Sequence, residues 1–277
     1  MTWYAIEVRS DIERHAAIAA WLVGRTGHAV EERPDGTIIS FALNLRSAEA
    51  LARDLATAHG PGIETTHTLL PEVDWGTAWR AGLGVRHVGN VSIVPSWIEH
   101  VPGPEEAIVI LDPEMAFGSG EHGSTRAALL LLQRHLRPGQ LMLDLGSGSG
   151  ILSIAAARLG AARAIGVEVD DESLPVATRN AERNAVADRV IFMQGDAAVI
   201  APLLGPAQIV VSNILRLVNI ALLPEIHAAL SPDGVAIFSG MEQGEAALFR
   251  APLEEHGFHI VDEQLDEGWW AVAAVRA

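Results

Sequence analysis

No cysteine and no lysine occur in this 277-residue chain. Without a thiol there is no disulfide framework, no thiolate nucleophile and no cysteine-bound zinc. Without an ε-amine there is no Schiff-base chemistry. All 19 basic residues are therefore arginine, and the only tyrosine is Tyr4. No apolar run reaches the roughly 18 residues that suggest a membrane span. Met1-Thr2-Trp3-Tyr4 has neither the basic start nor the apolar core of a secretion signal. The absence of cysteine fits a reducing compartment, so a cytoplasmic location is expected. The histidines show no ligand spacing with acids, and no metal site is expected.

Hydrophobic residues make up 49% of the chain and charged residues 19%, enough for a packed core and too apolar for disorder. The length suits one large or two unequal domains. Lys+Arg is 19 against 35 for Asp+Glu, a net charge of −16. Such a field repels phosphate backbones and attracts a cationic partner, so direct nucleic-acid binding is not expected.

Residues 1–70 read as βαββαβ, the order of a ferredoxin-like domain. Strands are expected at Trp3–Val8, His28–Glu32, Thr37–Leu43 and Ile63–Leu70, with Pro34-Asp35-Gly36 as a turn. Helices are expected at Asp11–Val23, closed by Gly24 and Gly27, and at Ser47–Ala58, with Ser47 as N-cap. No catalytic constellation lies in this part, which suits docking or scaffolding. Residues 71–84 combine Pro71, Gly76, Gly82 and Gly84 with Trp75 and Trp79, and read as a linker with aromatic anchors. From residue 85 a hairpin around Gly89-Asn90 and a buried strand at Ala107–Leu111 come first. Strands and helices then alternate: helix 125–135, strand 141–145, helix 151–159, strand 164–168, helix 172–184, strands 190–194 and 209–213, helix 217–230, strand 235–240, helix 243–256 and two closing strands. Apolar strands in this rhythm predict a parallel α/β sheet covered on both faces, with its ligand beyond the carboxyl ends of the strands.

The chemistry sits at those strand ends. Asp144-Leu145-Gly146-Ser147-Gly148-Ser149-Gly150 joins a strand to a helix. Gly146, Gly148 and Gly150 let the backbone turn sharply and approach a ligand. Their spacing is not the G-x-G-x-x-G of dinucleotide sites. Asp144 would repel a pyrophosphate but attracts an ammonium. Glu168 ends the next strand, where a carboxylate can accept hydrogen bonds from ribose hydroxyls. Asp196 follows the third strand and can accept from an exocyclic adenine amine; a plain loop aspartate is the alternative. Asn213 ends the fourth strand, where its amide oxygen can orient an amine N–H. Asn213-Ile214-Leu215 is not Asn-Pro-Pro, the usual signature for planar amide or adenine nitrogens. A glycine-rich run, Phe117-Gly-Ser-Gly-Glu-His122-Gly-Ser-Thr125, precedes the alternation. Ser124 is its N-cap candidate, and His122 is either a general base or a residue with only local hydrogen bonds.

Phe117–Thr125, Asp144–Gly150, Gly166-Val-Glu168-Val-Asp170 and Asn213-Ile214-Leu215, in that order along the chain, resemble class I S-adenosylmethionine-dependent methyltransferases, and specifically the bacterial family that methylates large-subunit ribosomal protein L-eleven. The motif resemblance covers roughly residues 73–277; residues 1–70 match by expected topology. It implies a Rossmann-like methyltransferase domain at 85–277, a ferredoxin-like substrate-recognition domain at 1–70 and a linker at 71–84. The cofactor implied is S-adenosylmethionine, and the acceptor is a lysine or α-amine of the ribosomal protein. Asp144, Gly146, Gly148 and Gly150 would hold the methionine end, Glu168 the ribose and Asp196 the adenine. Phe117 and Thr125 would close the site, and Asn213 would orient the amine beside the cofactor. A monomer without membrane attachment is expected. The chain departs from the family's usual His-Pro-Thr-Thr at His122-Gly123-Ser124-Thr125, and Arg216 stands where a small residue is usual. A methyltransferase for another protein or a small molecule, a nicotinamide dehydrogenase and an inactive cofactor-binding module are the rival readings.

Overall fold

The computed structural model describes residues 3–26, 30–33, 36–60, 62–69, 83–114 and 116–277. It divides into two compact units, Met1–Ala78 and Trp79–Ala277. The expected linker at 71–84 lies almost wholly outside the described residues, as do Gly27 and the Pro34-Asp35 part of the expected turn.

The smaller unit runs β1 (Tyr4–Arg9), α1 (Ile12–Thr26), β2 (Glu31–Glu32), β3 (Ile38–Ala42), α2 (Leu45–His59) and β4 (Glu64–Leu69). Its sheet has the order β2-β3-β1-β4 with every neighbouring pair antiparallel. This is the ferredoxin-like arrangement. Alternate residues of β1, Ile6 and Val8, join Ile38 under Ile18, Leu22, Leu51 and Leu55 to form the core. Leu51 and Leu55, four apart, share one helix face. Helix α2 starts earlier than its sequence suggests: Asn44, not Ser47, is the N-cap, and its side chain accepts from the Ser47 N–H at 2.8 Å. Helix α1 runs through Gly24 to Thr26, past its expected end at Val23.

The larger unit opens with a small sheet of β5 (Arg86–Val88), β6 (Val91–Val94) and β7 (Ala107–Ile110). Next come α3 (Gly123–His135), β8 (Leu141–Leu145), α4 (Ile151–Arg158), β9 (Arg163–Glu168), α5 (Ser173–Arg183), β10 (Val190–Gln194), α6 (Ala197–Leu204) and β11 (Ala207–Asn213). The chain closes with α7 (Arg216–Ala221), α8 (Leu223–Ala229), β12 (Leu230–Glu242), α9 (Ala246–Glu255), β13 (Phe258–Asp266) and β14 (Trp269–Arg276). The seven-stranded sheet has the order β10-β9-β8-β11-β12-β14-β13. Strands β8 to β12 pair in parallel, and β14 is antiparallel to both neighbours. Strand order reverses between β8 and β11, the switch point where such sheets bind ligands.

Three local readings are corrected. The single helix expected at 217–230 is two helices, because Pro224 at the start of α8 cannot donate to the preceding turn. Helix α3 begins at Gly123 with His122 as N-cap, and the Ser124 hydroxyl bonds the His122 ring instead of a backbone N–H. Helix α6 was not evident in its sequence, AAVIAPLL, which is apolar all round and contains Pro202. Among the described residues no helix is long and apolar enough to cross a membrane.

Side-chain alternation splits the large sheet into two cores. Met142, Ile209, Val211 and Ile237 face one cluster with Leu129, Leu132 and Ile154. Leu143, Leu145, Val210 and Phe238 face the other with Phe249, Leu253 and Phe258. By the same alternation Asp144 and Asn213 end rows that point to the first face, towards α3 and α4. Gly240 lies where β12 slips register against β14 and has φ 83°. A Cβ there would stand 2.7 Å from the Ile214 carbonyl carbon and 2.8 Å from its nitrogen. Gly240→Ala should therefore cost at least about 2 kcal/mol. Urea denaturation followed by circular dichroism should show a lower midpoint; an unchanged midpoint would refute the close approach.

Candidate active site

Four strand ends and one loop supply the site. The Asp144 carboxylate is fully buried. Its Oδ2 accepts from the Ser153 N–H at 3.1 Å and the Ser153 hydroxyl at 2.7 Å. Its Oδ1 is buried with no partner in the protein. Burial pushes the carboxyl up to about 6 against the pull of the two Ser153 bonds, and the nearby Glu168 charge raises it further.

Gly146, Gly148 and Gly150 all take left-handed φ values, of 79°, 50° and 82°. At Gly148 the reason is close packing: a Cβ would stand 2.5 Å from the Phe117 carbonyl oxygen. The loop is pinned to β9 by Gly146 N–H on the Val167 carbonyl at 2.8 Å and Gly148 N–H on Glu168 Oε2 at 2.9 Å. Glu168 Oε1 accepts from the Val169 and Asp170 N–H groups at 2.9 and 3.0 Å. Three of the four lone-pair positions of that carboxylate are thus taken, and one on Oε2 is open. Asp170 accepts from Glu172 N–H and the Ser173 hydroxyl, closing the turn into α5. Asp196 is exposed and is the N-cap of α6, accepting from Ala198 N–H at 2.9 Å.

Asn213 is 9% exposed. Its Nδ2 donates to Thr125 Oγ1 at 3.3 Å, and its Oδ1 is buried without a partner. Thr125 is itself fully buried on α3, which is anchored where the Ser239 hydroxyl donates to the Ser124 carbonyl at 2.8 Å. Thr125 is therefore placed to hold Asn213, not to face a ligand alone. Phe117 is 56% exposed. Its ring meets His122 edge-on at 5.4 Å, and His122 meets Trp269 at 4.1 Å between centroids. His122 is held below the ordinary imidazole range, first by burial and then by the Arg126 charge, so its ring is neutral at neutral pH. Arg126 is clamped by Asp266 and Glu267 at 2.5 and 2.6 Å. Arg216 turns to Glu245, with Nε to Oε1 3.0 Å, so its charge is neutralised beside the strand end. Among the described residues no group of three or more His, Asp or Glu is placed to hold a metal.

Sequence reasoning brought Asp144, the glycines, Glu168 and Asn213 to one edge of the sheet. It missed Trp269 and Ser149, which reach the site only through the fold. Ser149 lay unremarked within the glycine motif. No local signal marks Trp269.

The raised carboxyl has a testable consequence. A carboxyl that binds its proton more tightly when folded loses stability as pH rises from about 4 to about 6, and stability is then flat. Asp144→Asn keeps the shape and the Ser153 bonds without the charge. The unliganded variant should be more stable than the parent at pH 8 by up to about 3 kcal/mol, at about 1.4 kcal/mol per pKa unit. The gain should shrink towards pH 4. Thermal melts across that range check this, and a constant difference at every pH would contradict it.

Comparison with known proteins gives the family. A family model described as ribosomal protein L11 methyltransferase (PrmA) matches residues 24–277. The ribosomal protein L11 methyltransferase of Pelotomaculum thermopropionicum is 39% identical over 230 residues, which is 83% of this chain and 73% of the relative. That of Thermus thermophilus is 39% identical over 201 residues, covering 73% of this chain and 76% of the relative. The crystal structure of a ribosomal protein L11 methylase from Lactobacillus delbrueckii subsp. bulgaricus superposes with a TM-score of 0.65 and 31% identity, over 70% of this chain and 99% of that one. The chain belongs to the ribosomal protein L11 methyltransferase family.

Proposed function

We propose that this chain transfers methyl groups from S-adenosylmethionine to amines of ribosomal protein L11, on lysine side chains, the α-amine or both. Family membership supports the activity and the substrate class. The observation that carries the chemistry is Asn213: its nitrogen is tied to Thr125 while its oxygen is buried and unpaired at the end of β11. A buried acceptor without a partner is costly unless a ligand supplies the donor. Asp144 Oδ1 and Ser147 Oγ, at the end of β8 and in the loop beyond it, are unpaired in the same way. The residues present thus fit a ligand bearing an ammonium and further polar groups.

In this reading Asp144 receives the cofactor's ammonium, and the glycine loop leaves room for its methionine end. Glu168 accepts a ribose hydroxyl at its open position. Asp196 stands at the adenine end, its second oxygen free of the α6 cap. Phe117 covers the site. When bound, the cofactor supplies an electrophilic methyl group on a sulfonium. Asn213 Oδ1 accepts an N–H of the incoming amine and turns its lone pair to the transfer axis. The amine must be neutral, and reference values near 8 for an α-amine and near 10.4 for lysine make deprotonation part of the barrier. Removal from water favours the neutral form. Arg216, held by Glu245, adds little repulsion. The net charge of −16 draws in a basic protein. The smaller unit, which shows no catalytic cluster among its described residues, is assigned to gripping the substrate. A ribosomal protein as substrate supports a cytoplasmic location.

Asn213→Ala should leave S-adenosylhomocysteine binding near normal by calorimetry and lower turnover on protein L11 tenfold or more, a loss of about 1.4 kcal/mol or greater in transition-state stabilisation. Mass spectrometry of protein L11 after reaction reads the product. Unchanged turnover would remove Asn213 from the mechanism, and an unmodified protein L11 with the parent enzyme would remove the substrate.

A further inference from the structure

Helix α5 carries a buried asparagine, Asn180, and a second, Asn184, is its buried C-cap one turn on. Both spend their amides on the backbone that leads out of β7. Asn184 accepts from Ile110 N–H at 2.8 Å and donates to the Ile110 carbonyl at 2.6 Å. Asn180 accepts from Asp112 N–H at 3.1 Å and donates to the Asp112 carbonyl at 3.2 Å. Alternate residues of an extended segment thus find in two side chains the partners that a neighbouring strand would offer.

Asn184 also donates to the Asn180 carbonyl at 2.8 Å, within the same turn, and only Asn180 reaches the glycine loop. It also donates to the Ser149 carbonyl at 3.0 Å, and its oxygen accepts from Arg183 at 3.1 Å. Two donors and two acceptors are the full capacity of an amide, and all four are used. Ser149 is fully buried in the glycine loop. Its N–H donates to the Phe117 carbonyl at 2.9 Å, and its hydroxyl donates to the Gly118 carbonyl at 2.6 Å. Every polar group of Ser149 is spent on the join between the glycine loop, the 112–118 segment and α5. The glycine loop has its own separate anchors on β9, through Val167 and Glu168.

We propose that Asn180 is a positioning residue for methyl transfer: through Asp112 and Ser149 it ties the Asp112 backbone and the Phe117-Gly118 backbone to the glycine loop and so fixes Phe117 in the site. The inference rests on the reading of Phe117 as the cover of that site. Cofactor binding requires the glycine loop, which β9 holds. Alignment of the amine requires the loop and its cover in one fixed relation, which the Asn180–Ser149 join supplies.

The test uses the full-length protein and three variants: Asn180→Ala, Ser149→Ala and Asn184→Ala. Asn184 is the matched control, with the same residue type, helix and kind of backbone partner but no bond to Ser149. Calorimetry with S-adenosylhomocysteine gives affinity, steady-state methylation of protein L11 gives kcat, and thermal melts give stability. Asn180→Ala and Ser149→Ala should lower kcat about tenfold or more while affinity changes no more than a few-fold, because misplaced reacting groups cost rate before they cost binding. Asn184→Ala should melt earlier yet keep its kcat per folded molecule. Equal loss of kcat in Asn184→Ala, loss of affinity in step with kcat, or unchanged kcat in both clamp variants would each overturn the proposal. If Asn180→Ala does not fold, Asn180→Ser and Ser149→Ala decide by the same criteria. A parent protein that binds no S-adenosylhomocysteine would overturn the methyltransferase reading and this one together; normal parent turnover isolates the clamp.

Discussion

Parallel pairing of β8 with β11 is the interaction on which the site depends. The register sets Val211 beside Asp144 and Ser212 beside Leu145, so the two strands end together. Because successive side chains point to opposite faces, this one register puts the Asp144 carboxylate and the Asn213 amide on the same face. A slip of one residue would send one of them into the core around Phe238. The apolar rows behind them, Met142 on one strand and Ile209 and Val211 on the other, make such a slip costly. Core packing and site geometry are therefore one constraint.

That constraint leaves polar atoms in an apolar place. Asp144 sits at the end of a hydrophobic strand with one oxygen satisfied by Ser153 and one unpaired. The Asn213 oxygen is in the same state. Neither arrangement serves the unliganded fold, since a buried acceptor without a donor opposes folding. Stability is given up where ligand groups are to be received, as is common at functional sites. Ser147 Oγ and Ser212 Oγ are also buried without partners, whereas other polar groups near the site are paired: Thr125 with Asn213, Ser239 with the α3 backbone, Asn180 with Asp112 and Ser149.

The charges around the site follow the same division. The arginines near it are each answered by carboxylates: Arg126 by Asp266 and Glu267, Arg86 by Glu121, Arg216 by Glu245. The acids that face the proposed ligand, Asp144 and Glu168, have no arginine partner and are held by serine and backbone groups. In the proposed function the cofactor's ammonium and sulfonium would meet unneutralised acids, while the guanidinium groups stay occupied by carboxylates.

Much of this was determined by sequence alone. Apolar runs with helical stretches between them defined the alternating strands, and the glycines between Asp144 and Gly150 marked the turn at the end of β8. Glu168 and Asn213 were found because each closes a strand, and Asp144 because it stands two residues before the first glycine of the turn; all of these are local features. Readings failed where local signals compete: Asn44 and Ser47 are both good caps, Pro224 splits an apparently continuous helix, and the all-apolar α6 has no periodicity to read. Asp196 was recognised as a strand-end acid, but its place at the α6 cap was not. What only the tertiary structure decided was partnership: Asn213 with Thr125, Phe117 with His122 and Trp269, Asn180 with Ser149. Periodicity and capping act over about one helical turn. Which side chains meet across a sheet is set by strand order and register, and those follow from packing the whole core.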